Sequence, residues 1–340
     1  MSSTTGSTPI AAITHIAVIG AGIAGTSCAS ALQRAGYQVS LVDKSGMPGG
    51  RMSTRRGDGW QCDHGAQYFT ARAPAFRAEV ARWEAAGVAA QWRAQVSSFG
   101  GDRAAGSVDS GGATERFVGA PCMSSVAEWL ASSLALSAGV TISALRREAA
   151  GWCLQMQDGR AFGLAYDAVV LAVPAPQAAP LLRAVAPQLA SLAAEVRMEG
   201  CWSLMLDYAT PLALGFEAAF VNHGPLRWVA RDSSKPGRAG RESWLLHASA
   251  PWSEAHIESD GEEVAAQMLA AFARLGGPAP QRWSVHRWRY ASTPQVCSEV
   301  CLWEPAQRLG VCGDWLNGGT VEAAWLSGLA LARRIIDGQA

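Results

Sequence analysis

The chain has 340 residues, 28 basic against 28 acidic and no net charge, with 49% apolar residues, 36 Gly and 14 Trp. That much apolar material fills a large interior and excludes disorder, collagen and coiled coil, and the length suits one large α/β unit or two interleaved domains. Without a basic excess the chain is not built to grip nucleic-acid phosphates.

The opening MSSTTGSTPIAAIT lacks the basic and apolar regions of a secretory signal and reads as a tail over residues 1–14. Next, Ile16-Ala17-Val18-Ile19 is a short, continuously apolar run, as in a central parallel strand covered on both faces. It ends in Gly20-Ala21-Gly22-Ile23-Ala24-Gly25, then a helical pattern up to Gly36, then a second strand, Tyr37 to Val42, that delivers Asp43. Each part has a task in holding a dinucleotide. Gly20 permits the tight turn, Gly22 lets backbone approach a pyrophosphate, and Gly25 lets helix and strand pack closely. The helix N-terminus offers free N–H groups to phosphate, and Asp43, followed by Lys44, meets the adenosine ribose.

Two further segments favour FAD over NAD. Gly49-Gly50-Arg51 can close over a diphosphate with glycine backbone and a guanidinium. Far downstream, Leu309 to Cys312 reads as a strand ending in Gly313-Asp314, with a helix from about Thr320 to Ile336. An Asp at a strand end can bind a flavin's ribityl chain, and the helix N-terminus can stabilise negative charge on the reduced ring. A nicotinamide dehydrogenase needs no such second element.

Between these ends, Pro74 to Val88 looks helical, Gly100 to Thr114 reads as a loop, and Ser125-Val126-Ala127-Glu128 as a capping box opening a helix to about Leu136. Strands are expected at Val140 to Leu145, Trp152 to Gln157 and Ala168 to Val173, antiparallel strands over Met198 to His247, and a helix over Glu262 to Leu275. The apolar run from Ala168 to Leu182 is broken by Pro174, Pro176 and Pro180, and no stretch reaches the ~18 residues of a membrane span. The expectation is a soluble, cytoplasmic protein. The eight cysteines show no C-x-x-C and no zinc spacing, so ordinary thiols are expected, with neither metal site nor disulfide framework. Returning to Gly313-Asp314 after this excursion implies a discontinuous cofactor domain, 15–74 with 137–178 and 300–340, and a substrate domain over 75–136 and 179–299.

Beyond the glycine motif, the chain carries Gly65-Ala66-Gln67-Tyr68-Phe69-Thr70-Ala71-Arg72, His286-Arg287-Trp288-Arg289-Tyr290-Ala291 and Cys312-Gly313-Asp314-Trp315. With these it resembles the bacterial renalases, a branch of the FAD-dependent amine oxidase superfamily, from about residue 15 to 336. The resemblance implies an α/β fold: a Rossmann-type, p-hydroxybenzoate-hydroxylase-like FAD domain with an inserted α+β domain built on a mainly antiparallel sheet. It implies non-covalent FAD touched by Ile23, Asp43, Arg51, Ala66, Gln67, Ile142, Asp314 and Val321, and a substrate site lined by Tyr68, Phe69, Thr70, Ala71 and Arg72. It also implies the substrate: 2- or 6-dihydro isomers of NAD(P)H, oxidised to NAD(P)+ while O2 reoxidises the flavin and is itself reduced to hydrogen peroxide. Cys201, where a Thr is expected, and Thr320, where an Arg can occur, depart from that pattern on the substrate side.

The chemistry needs little from the protein. A dihydropyridine gains aromaticity by losing hydride, so the chain must hold its carbon at about 3–3.5 Å from the flavin, with no general base. Arg72 could pair with substrate phosphate or carboxamide, and Tyr68 and Phe69 could wall a flat ring or pack the core. His64 and His286 read first as structural histidines. Two rivals stand beside this reading. One is an amine oxidase proper, which typically uses a lysine near the flavin; here Lys44 sits beside Asp43, and Lys235 falls in Ser233-Ser234-Lys235-Pro236-Gly237, a surface turn by its residues. The other is a catalytically silent flavin-binding sensor.

Overall fold

The computed structural model describes residues 13–100, 114–294 and 297–338. The expected tail lies outside the described residues except for Ile13 and Thr14, as does most of the expected loop over 100–114.

The apolar run His15–Ile19 forms a strand near the middle of a six-stranded sheet, between Gln38–Asp43 and Ala168–Leu171. Ala135–Ala138 closes one edge, and Leu309–Val311 then Leu302–Glu304 complete the other; only the last pairing is antiparallel. Both faces are buried, as a parallel sheet requires. Ile16 and Val18 point into a cluster with Ala24, Cys28 and Leu331, while Ala17 and Ile19 point the other way, toward Leu154, Leu182 and Trp315. Helices Ile23–Arg34 and Val321–Asp337 cover the first face in close contact: a Cβ on Gly328 would sit 2.1 Å from the Ala24 carbonyl oxygen. The chain therefore enters this sheet in separated passes, and its last helix packs on its first.

The long excursion builds a second six-stranded sheet in the order Arg282–Ser292, Glu199–Tyr208, Glu242–Ala248, Leu226–Arg231, Ala218–Val221, Val96–Phe99. It is antiparallel except for its last pairing. One face carries Leu204, Leu206, Val229 and Leu246 against Val264, Met268 and Phe272 of helix Gly261–Ala273. Trp244 is fully buried there, and deleting such an indole costs about 3–5 kcal/mol. The opposite face looks toward the parallel sheet. The α/β architecture with a mainly antiparallel second sheet is as expected.

Three expectations are corrected. The helix from Ser125 stops at Ala131, because Ala135–Ala138 is drawn into the parallel sheet beside Gln38–Asp43. Its N-cap is Ser124, not Ser125, and the Ser124 hydroxyl donates to the Glu128 carboxylate (2.7 Å) rather than capping a backbone N–H. The strand expected over Ala168 to Val173 ends at Leu171, the rest of the proline-broken run to Leu182 forms helix Ala175–Leu182, and a second helix, Pro187–Glu195, follows it. Pro176 and Pro187 lie in first turns, where a missing N–H has no intrahelical partner to lose. Among the described residues no helix is long and apolar enough to cross a membrane.

Candidate active site

A cleft of about 1480 Å³ lies between the two sheets, and its walls have different origins. The first is backbone. Strand His15–Ile19 breaks at Gly20, whose φ of +107° and whose hypothetical Cβ, 2.5 Å from the Ala172 carbonyl oxygen, exclude other residues. A Cβ on Gly25 would lie 1.8 Å from the Gly20 oxygen, so this glycine lets helix Ile23–Arg34 start directly above the strand. Gly22 differs: a Cβ there meets nothing within 4 Å. The protein leaves that space open above a helix N-terminus that has no side-chain cap and no acidic residue in its first turn. The second glycine loop closes the other side, with Gly49 N–H donating to the Ala21 carbonyl (2.9 Å) and a Gly50 Cβ only 3.3 Å from Gly22 Cα. An open, glycine-walled cradle over free N–H groups fits a diphosphate.

The polar groups expected on the cofactor line this wall. Asp43 accepts from the N–H groups of Ala21 (2.6 Å) and Ser45 (2.7 Å), which ties the glycine turn to the strand end. Each oxygen keeps a lone pair for a ribose. Arg51 and Asp314, 263 residues apart, form a bidentate pair (2.8 and 2.5 Å) at the cleft. Thr320 accepts from Ala323 N–H (3.0 Å) and so caps helix Val321–Asp337, whose first residues reach the cleft. Ile23, Lys44, Gly50, Ala66, Ile142 and Val321 line it as well. Gln67 does not. Its amide donates to the carbonyls of Asp63 (2.6 Å) and Gly65 (3.1 Å).

The second wall is made of side chains from the antiparallel sheet and the turn at His64: Cys201, Trp228, His247, Trp288 and Tyr290. The His64 carbonyl gathers this wall, accepting from Ser203 Oγ (2.8 Å), Trp288 Nε1 (2.8 Å) and His247 Nε2 (3.2 Å). A carbonyl can only accept, which puts the His247 proton on Nε2. Burial pulls all three imidazoles down, His64 to about 3 and His247 and His286 to about 4, with neighbouring cations adding to the effect. They are neutral at pH 7. Burial likewise pushes the Cys201 thiol up to about 12, so it presents an uncharged S–H.

The run Tyr68 to Arg72 lies outside this wall. Phe69 pairs through its backbone with Phe117 and packs its ring among Phe76, Trp83 and Phe117, which is core. Tyr68 stands behind Trp228, ring centroids 5.5 Å apart. Ala71 is buried, Thr70 is half-buried, and exposed Arg72 gives its backbone N–H to Glu322 (3.0 Å). The flat groups facing the cleft are Trp228, Trp288 and Tyr290.

Lys235 is the largest correction. It is 2% exposed, not on a surface turn, and its ammonium donates to Asp232 (2.6 Å), Asp63 (3.0 Å) and Gln67 (3.2 Å). Arg238 adds a second cation on Asp63. Burial works against every charge here. Even so, Lys235 and Arg238 hold Asp63 well below the carboxylate range, and the two aspartates hold Lys235 above its usual value. Burial and the repulsion from Asp63 push Asp232 up. Nothing in Ser-Ser-Lys-Pro-Gly signals this, because the partner Asp63 lies 172 residues upstream. Five cationic side chains line the cleft, Lys44, Arg51, Arg227, Arg287 and Arg289, against two carboxylates, Asp43 and Asp314, both already engaged.

A glycine-cradled dinucleotide site open to a cleft of about 1480 Å³ suits a dinucleotide-dependent oxidoreductase. Comparison with known proteins agrees. Residues 95–336 match the model of the flavin containing amine oxidoreductases and residues 18–83 that of an NAD(P)-binding Rossmann-like domain. The first match covers well over half of the chain, which therefore belongs to the flavin-containing amine oxidoreductase family, with FAD as its cofactor. Cyclohexylamine oxidase from Brevibacterium oxydans IH-35A superposes with a TM-score of 0.74 at 12% identity, over 96% of this chain and 99% of that one. A triple mutant of putrescine oxidase gives 0.74 at 14%, with the same coverage. At such identities the likeness is one of fold. The L-amino-acid oxidase of Siganus canaliculatus is 38% identical over 65 residues, 18% of this chain, and the matched stretch spans only 12% of that protein.

Proposed function

We propose that this chain is an oxidase of mis-reduced nicotinamide dinucleotides, taking hydride from 2- or 6-dihydro-NAD(P) and releasing NAD(P)+. Bound FAD, held by the glycine cradle with Asp43, Arg51 and Asp314, would supply the hydride acceptor, with O2 as the final oxidant, so that the net reaction would consume one proton and yield hydrogen peroxide. The chain's residues bind and orient. The observation that carries the reading is the composition of the second wall: Trp228, Trp288 and Tyr290 offer flat faces, the imidazoles are neutral, and guanidinium groups outnumber free carboxylates. Such a wall suits a planar, electron-rich ring with an anionic tail. It needs no base, since the ring loses hydride and no N–H proton.

The amine reading is favoured by the solved neighbours that act on amines, yet the wall offers an ammonium no free carboxylate. Lys235 is consumed by three acceptors outside the wall. Anaerobic mixing separates the readings. Rapid bleaching of the flavin by 2- or 6-dihydro-NAD(P), and not by primary amines or polyamines, is the expected result. Bleaching by an amine alone replaces the proposal, and bleaching by neither class leaves a flavin-binding sensor.

A further inference from the structure

Strand Leu226–Arg231 breaks its own alternation at the cleft. Leu226 pairs with Ala248 and Trp228 with His247, so two steps on one strand oppose one on the other, and Arg227 is the inserted residue. The side chains record the shift. Leu226 and Val229 point into the core under helix Gly261–Ala273, while Trp228 and Ala230 belong to the other face. In a regular strand Arg227 would face away from Trp228. The bulge instead sets both on the cleft wall, which is what a bulge beside a site achieves. Arg227 is exposed there, and its guanidinium makes no hydrogen bond or ion pair among the described residues. The cleft's other guanidiniums are committed, Arg51 to Asp314 and both Arg287 and Arg289 to Glu258. Lys44 follows Asp43 in the chain, on the cofactor wall.

We infer that Arg227 is the phosphate-binding residue of the substrate side, gripping the diphosphate or the 2′-phosphate of the dinucleotide whose ring rests near Trp228. The inference rests on the proposed function for the identity of the ligand, and on the bulge and the uncommitted guanidinium for the position. An arginine suits this task, because its planar fork can hold two phosphate oxygens at once. It also displaces the phosphate contact anticipated at Arg72, which lies outside the wall.

The test uses the FAD-loaded protein and two readouts. In anaerobic mixing, Arg227→Ala should raise the dissociation constant of the dihydro-dinucleotide about tenfold to a hundredfold, with the flavin-reduction rate at saturation changed less than about twofold. The phosphate-free dihydronicotinamide riboside should reduce wild type and variant alike, and Arg227→Lys should keep part of the affinity. In direct titration of the oxidised protein, NADP+ should bind wild type more tightly than the variant. A smaller loss for NAD+ assigns the 2′-phosphate, and an equal loss the diphosphate. The inference is overturned if Arg227→Ala leaves both dinucleotide constants unchanged, if it weakens the riboside equally, or if Arg72→Ala produces the loss instead. Should wild type be bleached only by amines, the functional proposal fails; an Arg227-dependent NADP+ titration then keeps the anion site, and its absence removes it.

Discussion

The two walls of the cleft are built in opposite ways. The core of the cofactor wall is backbone from the near-consecutive stretch Gly20 to Gly50, where Gly20 and Gly25 admit no side chain and Gly22 leaves open space, with Asp314 and the helix start at Val321 joining it from far along the chain. The substrate wall is side chains, brought together from the turn at His64 and strands whose partners lie more than a hundred residues away. Local geometry fixes the first, whereas the second holds only if distant charges and carbonyls find each other. Substitutions should therefore act differently on the two.

The largest contrast lies within the glycine motif. Gly25→Ala forces a Cβ to 1.8 Å from a backbone oxygen, and the strand–helix unit has to separate. We expect a loss of at least about 3 kcal/mol and colourless or insoluble protein. Gly22→Ala meets no protein atom, so its cost to the fold is about 1 kcal/mol, that of Ala at an N-cap, while flavin content drops. Flavin absorbance per protein, read beside thermal unfolding, checks both. A Gly22→Ala protein that keeps its full flavin would place the diphosphate elsewhere.

Behind the substrate wall the largest effect belongs to Lys235→Met, which takes from the buried Asp232 carboxylate its hydrogen-bonded cation and leaves only Arg238 at 4.0 Å. The expected cost is about 3–5 kcal/mol in chemical denaturation. Adding Asp232→Asn should recover most of it, since removing both charges removes the unpaired one. If the double variant is as unstable as the single, packing of the lysine stem, not charge, holds this region.

The histidines give a pH signature. Their folded pKa values, about 3 for His64 and about 4 for His247 and His286, lie below the unfolded value of 6.5. Their contribution is thus complete above the unfolded pKa and lost as pH falls toward the folded values. Between about pH 6 and pH 4 the slope should approach about 1.4 kcal/mol per pH unit for each histidine, least for half-buried His286, which solvent screens. His247→Gln should flatten the slope by up to one such increment.

This contrast also explains what was legible in the sequence. The positions of Gly20, Gly22, Gly25 and Asp43 are legible because near neighbours in the chain fix them, those of Arg51 and Asp314 because glycines flank them even though the two pair across 263 residues, and helix Gly261–Ala273 because its periodicity is local. His247, Trp228 and Arg227 were missed, since alternation along Leu226–Arg231 predicts the wrong face for one of the last two until the bulge is known. Phe69 carried a motif resemblance but obeys packing. Lys235 reads as a turn residue until Asp63 is brought beside it.

The smallest prediction tests where the two walls meet. Thr320 caps helix Val321–Asp337 with a single side-chain hydrogen bond, and the helix start forms part of the cleft. Thr320→Ala should cost about 1 kcal/mol of stability, and Thr320→Ser should restore it, because the hydroxyl is what accepts the Ala323 N–H. The helix would still be anchored by the fully buried Leu331 and by the close approach at Gly328, so flavin content should hold. If flavin is lost in step with stability, the cap and the cofactor share one cooperative unit. If stability falls alone, the cofactor wall is secured by the glycine cradle and the Arg51–Asp314 pair, independently of the helix that completes it.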